Sequence, residues 1–300
     1  MNNRDEKIVK KPRIYFPEDL DVTKWENVEK ELKKLEGEKI NSADKLIKFM
    51  EKIGELSDIL DEEIAWRYIT MTRFADKEEH AKAYNEFYAN IISKVKPYNF
   101  KFNKKFYDSP YRKDLPEEKY GLLNKIISNE IELFREENIP LQVKEKELAN
   151  KYGSIFSKLT VKYKGEEKTL SQLAVYLKDP DRKVREEVWQ LRMNKLMEVR
   201  DEFNKLFDEM KEIRIKIAKN AGFDNYRDYM HKSKGRFSYT PEDLIKFHKA
   251  VEKVIIPFIK KLILERKRIL KLDSVRPWDT SVDLDGKILK PFKTIEEFTD

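Results

Sequence analysis

The chain has 300 residues, of which charged and apolar residues each make up 40%. Its 17 Phe, 14 Tyr and 4 Trp can build a sizeable core, which excludes wholesale disorder. Cysteine is absent, so a disulfide scaffold, a Cys-ligated metal site and a thiol nucleophile are excluded. The net charge is +7 with both signs interleaved, which is typical of solvated helices rather than of a continuous positive surface.

Composition also bears on location and source. Residues 1–7 contain no apolar segment of the kind a signal peptide needs, and the apolar run over 254–259 is far below the ~20 residues of a membrane span. We therefore expect a cytoplasmic protein that does not contact membranes. Abundant Lys and Glu, no Cys and few Gln resemble the composition of proteins from thermophiles.

Three helices are expected in the first half of the chain. Apolar residues recur at steps of three and four over 43–64, over 84–95 and over 116–134, which places each set on one helical face. The second run should stop at Pro97, because proline lacks the N–H that a helix interior requires. The third begins with proline and acidic residues and should end before Pro140.

A single stretch has the alternation of a β-strand. Apolar and polar residues alternate over 157–163, residues 164–166 supply a turn, and 168–170 can return antiparallel. A lone hairpin is only marginally stable, so it must lie against the helices.

The strongest helical signal follows. Asp179-Pro180 opens an apolar repeat that ends just before Gly222, and an unbroken helix of this length would span roughly 60 Å. A break near 193–195, where the apolar stripe is weakest, is equally compatible with the sequence. Thr240-Pro241 starts a further helix, with a kink expected at Pro257. The predicted fold is mainly α, an elongated helical array with one small β-hairpin.

The end of the sequence contains the pattern of one more helix start. Thr294 and Glu297 have the spacing of a capping box, yet only six residues follow Thr294. Because isolated helices need ~12–15 residues even to be marginal, this pattern suggests that the chain stops inside a fold. The alternative is a frayed tail in which the spacing arises by chance.

The three histidines offer little for a metal site. His80, His231 and His248 are each isolated, and none belongs to the His-Glu-x-x-His pattern that puts two imidazoles on one helical face. His231 lies among polar residues expected to form a loop. We interpret all three as surface or capping residues, and we expect no catalytic residue, no metal ligand and no cofactor in this chain.

Other catalytic patterns are also missing. Neither a Gly-rich phosphate loop nor a Gly-x-Ser-x-Gly elbow occurs in the sequence. The basic run over 260–271 could contact nucleic acid, but the Ile and Leu between its Lys and Arg residues indicate the solvated side of an amphipathic helix. We expect no nucleic-acid partner.

Several segments resemble the oligoendopeptidase F family of zinc metallopeptidases, which are similar to thimet oligopeptidase. The resemblance rests on Asp-Arg-Lys-Val-Arg at 181–185, on 217–229, on Tyr-Thr-Pro-Glu-Asp at 239–243 and on Arg-Pro-Trp-Asp at 276–279. It extends from about Pro12 to the end, through the hairpin and diffuse helix-packing signatures.

The resemblance implies the N-terminal part of an oligopeptidase-type zincin fold. In that family a helical N-terminal part forms one wall of a channel that admits short peptides, and the zinc ligands and the catalytic Glu lie downstream of the segments matched here. It thus implies zinc and short peptides for the full-length family and carries over no site residue to this chain. It also implies three parts: an N-terminal helical region over 1–113, an N-terminal-domain-like helix and hairpin over 114–185, and the start of the peptidase domain over 186–300.

Two hypotheses from different classes follow. The chain is the N-terminal portion of an oligopeptidase, inactive alone, with a complementing C-terminal half as a separate chain. Alternatively, it is a non-catalytic helical module that binds peptides or another protein. The first hypothesis further predicts that the helix over 244–262 carries an exposed apolar face, since large patches of this kind mark an absent partner.

Overall fold

The structure is a computed structural model that describes residues 12–286, 292 and 294–299. Across these residues it is mainly helical with one two-stranded antiparallel sheet, as the sequence predicted. The chain divides into two compact units, one formed by 1–153 and 209–237 and the other by 154–208 and 238–300, within the described ranges.

The N-terminal helices are α1 (Trp25–Gly37), α2 (Ala43–Arg73), α3 (Glu78–Phe87), α4 (Ser93–Tyr107), α5 (Glu117–Leu133) and α6 (Asn138–Ser157). The hairpin consists of β1 (Thr160–Tyr163) and β2 (Glu166–Thr169). The later helices are α7 (Leu170–Leu173), α8 (Arg182–Glu198), α9 (Arg200–Asn220), α10 (Tyr226–Ser233), α11 (Pro241–Ile269) and α12 (Ile295–Thr299).

The core of the first unit lies between α1, α2, α4 and α5. Phe49 of α2 and Phe102 of α4 meet edge to face at 5.7 Å between ring centroids, and both side chains are fully buried. Ile127 of α5 closes the same cluster. The apolar repeat that predicted α2 therefore forms the face of the helix that packs in this core. The helix starts where the side chain of Ser42 caps the amide of Lys45.

The expected stop at Pro97 is wrong. The chain stays helical from α3 through a π-helical turn over Tyr88–Ile92 into α4, with Pro97 inside α4. The wider turn ends directly before Ser93, whose carbonyl would accept a hydrogen bond from the N–H that Pro97 lacks. A π-turn at this place accommodates the proline without ending the helix.

The third predicted helix starts where the sequence indicated, but the helix that follows it was not predicted. α5 begins behind Pro116 and ends at Leu133, whereas α6 follows at once and carries Pro140 in its first turn. Proline is tolerated there because the first amides of a helix have no intrahelical partner. Pro140 therefore marks a helix start rather than the end of the preceding one.

The predicted hairpin is confirmed with a later start, because α6 extends to Ser157. Tyr163 pairs with Glu166 across a two-residue turn of Lys164 and Gly165, which both have positive φ angles of 52° and 82°. Tyr163 is buried in the core of the second unit beside Val188 of α8. The hairpin thus lies against helices, as its marginal stability requires.

The long helical segment is broken. α8 and α9 are separated at Val199, whose φ of −105° and ψ of 6° are not helical, a few residues beyond the expected weak point. α9 ends before Gly222, which adopts a φ of 86°. Only glycine adopts this conformation without strain, so the sequence signal for the helix end is confirmed.

The start of α11 is also confirmed. The Thr240 hydroxyl accepts from the amide of Asp243, and the Asp243 carboxylate accepts from the amide of Thr240, which completes a capping box. α11 continues through Pro257 to Ile269. At α12 the amide of Glu297 donates to the hydroxyl of Thr294 at 3.2 Å, one half of the predicted box.

Candidate functional site

The three histidines lie in separate places of the fold. His80 belongs to α3, with its ring 5.4 Å from that of Phe74, and His248 is an exposed residue of α11. His231 is almost fully buried within α10, so the expected loop and the expected surface or capping position are both wrong there. The helix forms because Asn225 caps the amide of Asp228, a signal that the sequence carried but our interpretation missed.

Zinc ligands are not assembled in the part of the chain that the structure describes. Among residues 12–286, 292 and 294–299, no group of three or more His, Asp or Glu side chains lies close enough to hold a metal ion. A catalytic zinc needs three protein ligands and an open position. The described donor set therefore does not fit a catalytic zinc.

Two segments that carried the family resemblance meet in a buried ionic cluster. Arg182 and Arg185 of α8 both donate to the carboxylate of Asp279, at 3.0 and 3.1 Å. The Arg185 and Asp279 side chains are 3% and 0% exposed. Arg185 also donates to the carbonyl of Trp278, so each buried charge has several partners.

The electrostatics of this cluster favour the ionised carboxylate. Burial alone would raise the pKa of Asp279, but hydrogen bonds from Arg182, the amide of Arg276 and Arg185 outweigh it and lower the pKa below the ordinary value. Arg266 of α11 donates to the carbonyls of Asp279 and Val282. The cluster therefore ties α8 and the end of α11 to the segment around Asp279.

A second polar network joins α4, α6, α9 and α10 in the first unit. Glu145 of α6 accepts from Arg214 at 2.6 Å and from the hydroxyl of Tyr226 at 3.4 Å. Burial, followed by the charge of Glu145, raises the pKa of Tyr226 to about 12. Lys96 donates to Gln142 and to Tyr88, and its burial, followed by the charge of Lys146, lowers its pKa to about 8.

The α11 helix carries a large unpartnered apolar face. None of its residues Pro241–Ile269, all of which the structure describes, is buried. At 100° per residue most of its apolar side chains cover an arc of roughly 200°, twice the width of an ordinary one-sided stripe. The most exposed side chains of this arc are Phe247, Val254 and Phe258, whereas Leu264 lies outside it. This confirms the predicted exposed face, which is wide enough to pack against neighbours on two sides.

The opposite side of α11 is basic. Five exposed lysines fall within an arc of roughly 60°. We call them the lysine stripe, which consists of Lys246, Lys249, Lys253, Lys260 and Lys267. In the basic run Arg266 is engaged with backbone carbonyls, so this run is not one continuous free positive surface.

The described residues define a mainly helical protein with a buried arginine–aspartate cluster and an exposed apolar face on α11. The sequence model of the peptidase M3 N-terminal domain matches residues 18–134, and that of peptidase family M3 matches 175–300. The chain belongs to peptidase family M3, in agreement with the resemblance drawn from the sequence. No curated protein matches it significantly.

Solved structures show the same fold. PZ peptidase A, solved with an inhibitor, is 23% identical with a TM-score of 0.82, over 87% of this chain and 47% of its own. A protein assigned as oligoendopeptidase F is 21% identical with a TM-score of 0.82, over 88% and 47%. Another from Bacillus anthracis str. Ames is 20% identical with a TM-score of 0.80, over 88% and 49%. The chain thus spans about half the length of these proteins. None of the described helices has the length and apolarity to cross a membrane.

Proposed function

We propose that this chain is the N-terminal part of a zinc metallo-oligopeptidase of family M3, which hydrolyses short peptides once the remaining part of the fold is supplied. The chain itself lacks the His-Glu-x-x-His ligands and the catalytic Glu, and it is inactive alone. The zinc ion, its ligands and the base are contributed by a complementing polypeptide. The division of the chain at 113 and 185 and a cytoplasmic location belong to the same proposal.

The observation that carries this proposal is the exposed apolar arc of α11. A helix that is apolar over more than half of its circumference is normally buried on two sides. Exposed apolar surface of this extent marks an interaction site, and the arc lies in the segment matched by the peptidase family model. The matched proteins are about twice as long as this chain, which leaves room for the missing neighbour.

The buried cluster supports the same assignment. Asp279 and its arginines hold the segment around Asp279 against α8 and the end of α11. Such a cluster fixes the orientation of α11 in the second unit. A helix held in this way can present its apolar arc to an incoming chain in one defined register.

The test is complementation. The coding sequence directly after Asp300 is read, and the polypeptide it encodes is co-expressed with this chain. The proposal expects a polypeptide with His-Glu-x-x-His that forms a stable complex and gives chelator-sensitive hydrolysis of short peptides. A downstream sequence without that motif, or a complex that cannot hydrolyse peptides, contradicts it.

Because the chain contains no cysteine, single cysteines can locate the interface. Phe258→Cys lies on the apolar arc, and Lys260→Cys lies on the lysine stripe as its matched control. Complex formation should slow thiol labelling at position 258 by at least tenfold and leave position 260 nearly unchanged. Equal protection at both positions would contradict the proposed interface.

The alternative function is a non-catalytic module that binds a peptide or protein. The exposed Trp66 and Ile69 on one face of α2, 60% and 47% exposed, favour it, because aromatic side chains are frequent interaction anchors. This alternative expects no complementing polypeptide and a monodisperse chain that binds peptides alone. We expect the chain not to bind nucleic acid. Polynucleotide binding whose affinity falls steeply with salt would contradict this expectation.

A further inference from the structure

The apolar arc of α11 is centred on one residue in both directions. Ile255 is the middle residue of the helix Pro241–Ile269, and at 100° per residue it also lies at the centre of the arc. Its side chain is 46% exposed, and Val251 and Ile259 continue the apolar surface by one turn on either side. A surface centred in this way can pack against a copy of itself, with Ile255 facing Ile255 across a two-fold axis.

The charges of α11 favour one direction for such a pair. Acidic and basic residues balance in the half before Ile255, whereas the half after it is strongly basic. A parallel pair would place the two basic halves side by side, which is repulsive. An antiparallel pair places each basic half beside the balanced half of the other copy, and it brings the acidic first turn of one helix near the basic last turn of the other. The charged residues of the basic half are Lys260, Lys261, Glu265, Arg266, Lys267 and Arg268.

The contact surface of this pair is small. The helix has 29 residues, and its arc contains about a dozen apolar side chains. A standard stable interface uses roughly 20–30 residues from each partner. The pair should therefore associate at micromolar concentration, and the chain should be a monomer at nanomolar concentration.

We propose that α11 pairs with α11 of a second copy of this chain when the complementing polypeptide is absent. The two helices run antiparallel, and their Ile255 side chains are in contact at the two-fold axis. The proposal rests on the proposed function in one respect, because that function leaves the same arc free until the complementing polypeptide binds. The choice of a second copy rests on the central position of Ile255 and on the uneven charge of the helix.

Sedimentation equilibrium of the full chain tests the association. The unaltered chain should change from monomer to dimer over roughly 1–100 µM. Ile255→Ser removes the central apolar side chain from both copies and should raise the dissociation constant at least about tenfold. Leu264→Ser is the matched control, because Leu264 is 64% exposed on the same helix but lies outside the arc. It should change the dissociation constant by less than about twofold.

Single cysteines test the direction of the pair, since the chain contains no cysteine of its own. His248 and Leu262 lie seven residues to either side of Ile255 and within about 20° of the centre of the arc. In an antiparallel pair His248 of one copy lies near Leu262 of the other, whereas identical positions are about 20 Å apart along the helices. A short bis-maleimide should therefore crosslink a mixture of His248→Cys and Leu262→Cys but neither variant alone. Ile255→Cys should crosslink to itself.

Three results would overturn the proposal. They are a chain that stays monomeric at about 100 µM, equal effects of the two serine substitutions, and crosslinking of His248→Cys and of Leu262→Cys each to itself, as a parallel pair requires. These measurements need this chain alone. A chain that self-associates but fails complementation counts against the proposed function only, and a monomeric chain that binds the complementing polypeptide counts against the pair only.

Discussion

The carboxylate of Asp279 lies 3.1 Å from the guanidinium of Arg185, and neither side chain has meaningful access to solvent. The two residues are 94 positions apart in the sequence, in two of the segments that carried the family resemblance. Their pairing shows that these short segments form a buried contact of the fold. They encode the contact that fixes the second unit around the start of α8 and the end of α11.

Removing one partner of this pair should be costly. Asp279→Asn leaves the Arg185 guanidinium buried without its counter-charge, which typically costs about 3–5 kcal/mol of unfolding free energy. Urea unfolding at neutral pH measures this loss. Glu252→Gln, an exposed acid on α11, is the matched control and should change stability by less than about 0.5 kcal/mol. Similar values for the two variants would show that the ion pair does not stabilise the fold.

The same carboxylate should contribute a defined pH dependence. The pKa of Asp279 is lower in the folded state than its ordinary value of 3.8, so its stabilising effect is present above pH 3.8 and is lost as the pH falls through the lower folded-state pKa. The stability difference between the unaltered chain and Asp279→Asn should therefore shrink in acid. A difference that stays constant from neutral pH to pH 2 would contradict this assignment.

Lys96 should also make stability rise with pH, but in the alkaline range. Its folded-state pKa of about 8 lies below the ordinary 10.5, so above pH 8 the unfolded chain binds more protons and stability rises with pH. Lys96 alone should add about 1–2 kcal/mol between pH 8 and 9.5, before tyrosines with raised pKa values begin to ionise in the unfolded chain. Urea unfolding across this range measures the rise.

Two variants isolate this contribution. Lys96→Met removes the buried amine and should abolish most of the rise, whereas Lys104→Met removes an exposed lysine of the same helix and should preserve it. A rise that survives in Lys96→Met would assign the pH dependence to other groups.

The apolar arc of α11 should govern the surface behaviour of the isolated chain. Replacing Val254 and Phe258, which are 62% and 55% exposed, by serine should lower the binding of a hydrophobic dye. The free energy of unfolding should change by less than about 1 kcal/mol, because neither side chain packs in a core. Lys253→Ser on the lysine stripe should leave dye binding unchanged. Equal dye binding in all three proteins would place the apolar surface elsewhere.

Much of the architecture could be predicted because its signals are local. The capping residues Ser42 and Thr240 and the glycine at 222 mark their helix ends through hydrogen bonds and φ angles that act within a few residues. The Lys164-Gly165 turn sets the hairpin for the same reason. Each of these signals depends on the chain close to it rather than on distant packing.

The features that the sequence analysis predicted wrongly depend on neighbouring structure that accommodates an unfavourable residue, or on contacts with distant residues. Pro97 reads as a helix end, but the π-turn before it accommodates the missing donor, and no sequence pattern announces that turn. His231 reads as a loop residue because the helix around it is short and polar. The ion pair between Arg185 and Asp279 joins segments that are far apart in sequence. Hydrophobic periodicity carries no information about such a contact.

We propose that this chain does not hold a catalytic zinc and does not hydrolyse peptides unaided. The most direct measurement is the zinc content of the purified chain after dialysis against zinc, together with the hydrolysis of a quenched fluorescent peptide with and without a chelator. The account predicts less than stoichiometric zinc and no chelator-sensitive cleavage by the chain alone. One tightly bound zinc per molecule with cleavage that the chelator abolishes would contradict it.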